Sequence, residues 1–135
     1  MAEALERFVG ERASNRREYC RLPQTLSDLT FHVDHIIAEK HGGPTTPENL
    51  ALACVHCNLH KGTDLSGIDP VTGIMTRLFR PRRDNWSDHF RYEDARMVGL
   101  TEVGRVTIAV LALNHPDVVA ARSTLIAEGL LPPQF

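Results

Sequence analysis

The sequence predicts an α+β fold built as a single domain over residues 1–135, and three observations predict it. An amphipathic helical pattern opens the chain, two short apolar or β-branched runs flank a glycine- and proline-rich loop, and two helix-like stretches close it. A chain of 135 residues is long enough for one core and short for two independent ones of ordinary size.

The elements follow in chain order. Within residues 4–15, Leu5, Phe8 and Val9 recur among charges at i, i+3, i+4, the spacing of a short amphipathic helix. After Cys20 and a loop with Pro23, residues 30–37 (TFHVDHII) are rich in β-branched and aromatic types and read as a strand. Residues 41–47 (HGGPTTP) suit neither element and form a loop. Residues 49–54 make a second strand, and residues 55–61 a short helix that Gly62 ends. Residues 68–73 (IDPVTG) are turn-like and predict a hairpin whose second arm is 74–79, with further short strands in 86–100. Thr101 is placed to cap a helix through Val103, Val106, Val110 and Leu111. Asn114 caps a second one, with Pro116 in its first turn and Gly129 at its end.

Composition narrows the function. A net charge of -2 argues against a protein that grips nucleic acid by bulk positive charge, but leaves room for a local basic patch. The N-terminus has no apolar run of signal-peptide length and no window reaches the roughly 18 apolar residues of a membrane span, so the expectation is a soluble cytoplasmic protein. Cys20, Cys54 and Cys57 make an odd number with no secretory signal, which favours metal binding over a disulfide framework.

The chemistry concentrates in two places. His32-Val33-Asp34-His35 sets a carboxylate directly before an imidazole, and Cys54-Val55-His56-Cys57-Asn58 follows about twenty residues later. With Gly42, Gly43, Asn49, Leu50, His60, Lys61 and Gly62 in order, residues 17–62 resemble the HNH nucleases, also called ββα-metal nucleases. The resemblance implies a ββα-metal core at about 17–62. To it the sequence adds an N-terminal helix, a β-hairpin and short strands at about 66–100, and two C-terminal helices at about 101–130.

Hydrolysis of a phosphodiester needs an activated water, a cation for the charge on phosphate and relief for the leaving oxyanion. A hard ion such as Mg²⁺ prefers oxygen ligands, and Asp34 and Asn58 supply a carboxylate and an amide oxygen. His35 suits a general base, because an imidazole with a pKa of about 6.5 can accept a proton near neutrality; the resemblance gives it that role. Asn49 is expected to tie the loop to the strand through side-chain to backbone hydrogen bonds and so orient His35. Neighbours in a regular strand face opposite ways, so either the strand is bulged or ends at Asp34 and His35, or scissile phosphate and metal straddle it; a strand end or bulge is the expectation.

At about 100° per residue, Cys54, Cys57, Asn58 and Lys61 share one helix face, while His56 and His60 share another. The two histidines are secondary metal or phosphate candidates, as is His32, two residues before Asp34. Cys54 and Cys57 resemble the second of two Cys-x-x-Cys knuckles that hold structural zinc in many HNH proteins. In the first, Arg17 stands where a cysteine belongs, leaving Cys20. Either water, a nearby histidine or no metal completes the set, or the thiols pack as small hydrophobes. Arg77, Arg80, Arg82 and Arg83, beside Phe79 and Trp86, form the dense basic cluster and, with Lys61, are candidates to track a nucleic-acid backbone.

The expected function is a metal-dependent endonuclease acting on DNA, with a divalent ion on Asp34 and Asn58; whether Cys20, Cys54 and Cys57 also hold a structural zinc is left open by Arg17. The rival is a non-catalytic zinc-knuckle module that binds nucleic acid or a protein. Oligomeric state is open.

Overall fold

The computed structural model describes residues 2–23 and 32–131. Contacts divide the chain, read above as one domain, into two compact units: residues 1–65 with 80–84, and residues 66–79 with 85–135.

The first unit opens with α1 (Glu3–Arg12). Its inward face differs from the expectation at one position: Val9 is fully buried and Leu5 packs beside it, but Phe8 is 46% exposed. The Arg12 guanidinium lies over the Phe8 ring at 5.2 Å, so that ring is covered by a cation instead of the core. Strands β1 (His32–His35) and β2 (Leu50–Ala53) form an antiparallel pair in one-to-one register, from His32 opposite Ala53 to His35 opposite Leu50. Thr30 and Phe31, expected in the first strand, lie outside the described residues.

All of β2 is buried, because one face packs on α1 and its other edge is used as well. Glu18 pairs there, its backbone N–H donating to the Leu52 carbonyl and its carboxylate accepting from the Leu52 N–H. Val9, Leu50 and Leu52 form the core, with Leu5, Ala13 and Val33 against it. Arg12 locks the helix onto this layer by donating to the Pro47 and Leu50 carbonyls at 2.7 and 2.6 Å.

The β1–β2 connection holds two 3₁₀ turns, Glu39–His41 and Pro47–Asn49, where the sequence suggested plain loop. Gly43 is dictated by packing: a Cβ there would lie 1.7 Å from the Ile37 carbonyl oxygen. Helix α2 (Val55–Lys61) follows with the expected bounds. The Cys54 sulfur caps it by accepting from the Cys57 N–H at 3.3 Å, and Gly62, at φ 50°, ends it.

The second unit contains the predicted hairpin, β3 (Ser66–Ile68) paired with β4 (Met75–Arg77). Asp69 holds its turn, accepting from the Val71 N–H and the Thr72 hydroxyl, while Arg105 donates to both of its carboxylate oxygens at 3.0 and 2.8 Å. Residues 86–100 are only partly strand: α3 (Trp86–His89) is a single helical turn, and β5 (Phe90–Glu93) and β6 (Arg96–Gly99) pair after it. That turn lets Trp86 reach Phe90 at 5.3 Å and stack on Tyr92 at 6.0 Å.

Helix α4 (Glu102–Val110) is capped by Thr101, whose hydroxyl accepts from the Gly104 N–H at 3.1 Å, as expected. For α5 (Pro116–Ala127) the expected cap is displaced. His115 accepts from the Asp117 N–H, whereas the Asn114 amide bonds both the N–H and the carbonyl of Met97 at 2.8 Å. A partner 17 residues earlier in the chain takes the Asn114 amide in place of the local cap. The architecture is α+β, with small antiparallel pairs and helices, and agrees with an HNH-type fold.

Candidate active site

Strand β1 is too short to carry its direction past His35. The register is unbroken, so there is no bulge, and the chain leaves the strand directly after the imidazole. Of the two geometries expected for adjacent Asp34 and His35, the strand end is the one found. Both residues line a cleft of about 380 Å³ together with Val33, Ala38, Glu39, Lys40, Asn58, Gly62 and Thr63. Three sequence-predicted residues, Asp34, His35 and Asn58, are thus brought to one cavity by β1 and α2.

Asn49 holds the loop that forms its far side. The Asn49 Oδ1 accepts from the Ile37 N–H at 2.9 Å, and Nδ2 donates to the Ile37 carbonyl at 2.9 Å and the Pro44 carbonyl at 2.8 Å. Asn49 is buried and its backbone carbonyl also accepts from the Ile36 N–H, so the residues just after His35 are clamped from two sides.

His35 meets two residues that sequence reasoning passed over. The Thr45 hydroxyl donates to Glu39 at 3.2 Å, which leaves the Thr45 oxygen to accept from His35 Nε2–H at 2.9 Å. The Glu39 carboxylate also lies 3.4 Å from the same nitrogen. Glu39 can only accept, so the assignment that satisfies both contacts puts the proton on Nε2 and leaves Nδ1, which has no protein partner among the described residues, as the acceptor. Glu39 stands four residues after His35, but no helix joins the two, so that spacing carried no signal of the contact.

Asp34 is the second departure. It is 3% exposed, and its Oδ2 accepts from the Tyr19 hydroxyl at 2.7 Å. The Lys61 ammonium, 2% exposed, sits 3.3 Å from Oδ1 and 3.2 Å from Oδ2, and donates to the His35 carbonyl at 3.1 Å. Burial raises the Asp34 pKa above the usual carboxylate value, against the opposing pull of Lys61 and the Tyr19 hydrogen bond. Burial, followed by the charge of Asp34, likewise pushes the Tyr19 phenol well up. Lys61 was expected to face a nucleic-acid backbone; that expectation is corrected, because a buried ammonium bound to a carboxylate offers no surface to phosphate.

An oxygen-ligated divalent ion is compatible with the residues that remain. Asn58 has no side-chain hydrogen bond among the described residues and lines the same cleft as Asp34, and an amide oxygen and a carboxylate are hard donors of the kind Mg²⁺ prefers. The other histidines stand apart. His32 is half-buried but does not line the cleft, and the His56 and His60 rings lie 4.1 Å apart and tilted by 35°, with His60 Nδ1 donating to the His56 carbonyl at 2.8 Å.

The three cysteines converge as their spacing suggested, with all sulfurs within 4.8 Å of one another. Hydrogen bonds from Cys20 and Cys57 pull the Cys54 thiol well below its ordinary value, and the nearby charge of Arg17 adds to this. The same contacts, with burial, push Cys20 up to about 11 and raise Cys57 well above the ordinary thiol value. Three soft donors at this separation can hold a metal such as zinc, and Arg17 acts on the group as a charge.

The arginine cluster is divided. Arg77 belongs to β4 of the second unit and donates to the Leu78 carbonyl at 3.3 Å. Arg80, Arg82 and Arg83 belong to the first unit, where Arg82 forms an ion pair with Glu18 and burial lowers its pKa to about 10. Arg82 is therefore committed to the fold, while Arg83 is exposed.

Among the described residues no helix is long and apolar enough to cross a membrane. Residues 18–64 match the family model described as HNH endonuclease, while no curated protein and no solved structure matches the chain. Domains of this family are nuclease-type or nucleic-acid-binding modules that bind divalent metals. The segment that supplies the paired strands, the clamp of Asn49, the cleft and the thiol cluster is thus the part of the chain that is similar to the HNH endonuclease family.

Proposed function

We propose that the protein is a metal-dependent endonuclease that hydrolyses DNA phosphodiesters in the cleft between β1 and α2. The observation that carries this reading is the convergence of Asp34, His35 and Asn58 on one 380 Å³ cavity. His35 Nδ1 takes a proton from the attacking water while Thr45 and Glu39 hold the ring through Nε2. The water oxygen bonds to phosphorus, the bond to the 3′ oxygen breaks, and that oxygen takes a proton from a solvent water, so the products carry a 5′-phosphate and a 3′-hydroxyl. Asp34 and Asn58 would hold the divalent ion, whose charge offsets that gathering on the phosphate and the leaving oxygen. Asn49 acts by position, keeping residues 36 and 37 in place behind His35. Cys20, Cys54 and Cys57 would hold a structural zinc that ties the chain before β1 to α2.

One observation favours a second reading. Both oxygens of Asp34 are engaged by protein donors, which suits a non-catalytic zinc-knuckle module that keeps the fold and binds nucleic acid. Plasmid nicking in Mg²⁺ or Mn²⁺ separates the two. The nuclease reading expects cleavage that falls about 10²–10⁴-fold in His35→Ala. Stoichiometric zinc with no cleavage, or full activity in the variant, refutes it.

A further inference from the structure

The cleft and the buried Lys61 ammonium both use the Asp34 carboxylate. Asp34 lines the cavity, but Lys61 and Tyr19 do not; both are nearly solvent-free and reach the carboxylate from within the fold. Lys61 comes from the last turn of α2, the helix that also presents Asn58 to the cavity. Its ammonium is bound by both Asp34 oxygens and by the His35 carbonyl, so one buried cation touches the backbone or side chain of both β1 residues at the site.

We propose that Lys61 is an internal counter-ion that shares Asp34 with the divalent metal, so that the site is pre-formed but binds its ion weakly. This rests on the reading of Asp34 as a metal ligand. In the resting protein the ammonium satisfies a carboxylate that would otherwise be buried and unpaired, an arrangement costly to the fold. The same positive charge remains behind the carboxylate when a divalent cation enters from the cleft, and the two cations repel through a partly desolvated medium where charges interact more strongly than in water. Tyr19 acts in the same sense and more weakly, since its hydroxyl withdraws part of the negative charge of Oδ2 without adding a full positive one. The carboxylate is thereby held in one orientation, and binding strength is given up for a stable resting cleft.

The test is Mn²⁺ affinity, followed by the paramagnetic resonance of the free ion on the full chain with its thiols reduced. Lys61→Gln keeps a hydrogen-bond donor and removes the charge, and Lys61→Met removes both. Each should bind Mn²⁺ about tenfold tighter or more than the parent, and the ion should raise the thermal midpoint of each variant further than it raises the parent's. Asp34→Asn should weaken binding in the parent and abolish the gain in the Lys61→Gln background. Unchanged or weaker binding in the Lys61 variants, with Asp34→Asn still weakening it, overturns the inference and leaves the ligand assignment intact. Unchanged binding in Asp34→Asn removes the ligand assignment and the inference with it. If neither Lys61 variant folds, Tyr19→Phe decides: it leaves the ion pair in place and should tighten binding about two- to threefold, and no gain overturns the proposal.

Discussion

Replacing Asn49 by alanine removes three side-chain hydrogen bonds at once, those to the Ile37 N–H, the Ile37 carbonyl and the Pro44 carbonyl. Each bond contributes on the order of 1 kcal/mol net, and a backbone group left dry and unpaired costs 1–3 kcal/mol, so the variant should lose about 3 kcal/mol. Water reaches part of this loop, since Ile37 is half-buried and Pro44 exposed, which keeps the figure near the lower end of that range. Against a typical domain stability of about 5–15 kcal/mol this is a large fraction. Urea unfolding followed by far-ultraviolet dichroism measures it as a fall in midpoint at constant slope. Asn49→Asp sharpens the test. It keeps the acceptor for Ile37 but turns a carboxylate toward two carbonyl oxygens, so it should be at least as damaging near neutral pH. A loss below about 1 kcal/mol for Asn49→Ala would refute the clamp.

Other predictions follow from separate parts of the molecule. Gly43→Ala should lower the melting temperature severely or prevent folding, because the new Cβ meets a backbone oxygen 1.7 Å away that cannot swing aside; a melting curve like the parent's would show the loop is not packed this way. Arg105 holds the Asp69 carboxyl well below the usual carboxylate range, so its stabilisation is present above the unfolded value of about 3.9 and is lost as pH falls through the lower folded value. Asp69→Asn should therefore lower the melting temperature near neutrality and flatten its acid decline, and an unchanged acid limb would contradict the assignment. Zinc titrated into the reduced protein should occupy one site; with about 10–16 kcal/mol spread over four ligands in zinc-finger sites, Cys57→Ser should weaken it by roughly a hundredfold or more in chelator competition.

Local chemistry explains which features were legible in the sequence. The bounds of α2 follow from Gly62 after a helical run, and the cap of α4 from Thr101 before one, since both signals act within a few residues. Motif order brought Asp34, His35, Asn49 and Asn58 to attention, and the three cysteines could be grouped from spacing once metal binding was preferred to a disulfide. The α5 cap was misplaced because Asn114 is equally suited to a local turn and to a distant strand, and its partner Met97 is named only when the chain is folded.

The sequence by itself determined that this is an α+β chain with a segment similar to the HNH endonucleases, a carboxylate–imidazole pair and a set of three cysteines, because residue type and short-range order carry that information. Tertiary structure alone decided what each charge faces. Lysine at position 61 reads as a surface residue until α2 packs on β1 and buries its ammonium against Asp34. Glu39 and Thr45 reach the His35 ring only because the β1–β2 connection folds back on the strand end. Burial and long-range pairing depend on where elements pack, and no local pattern encodes that.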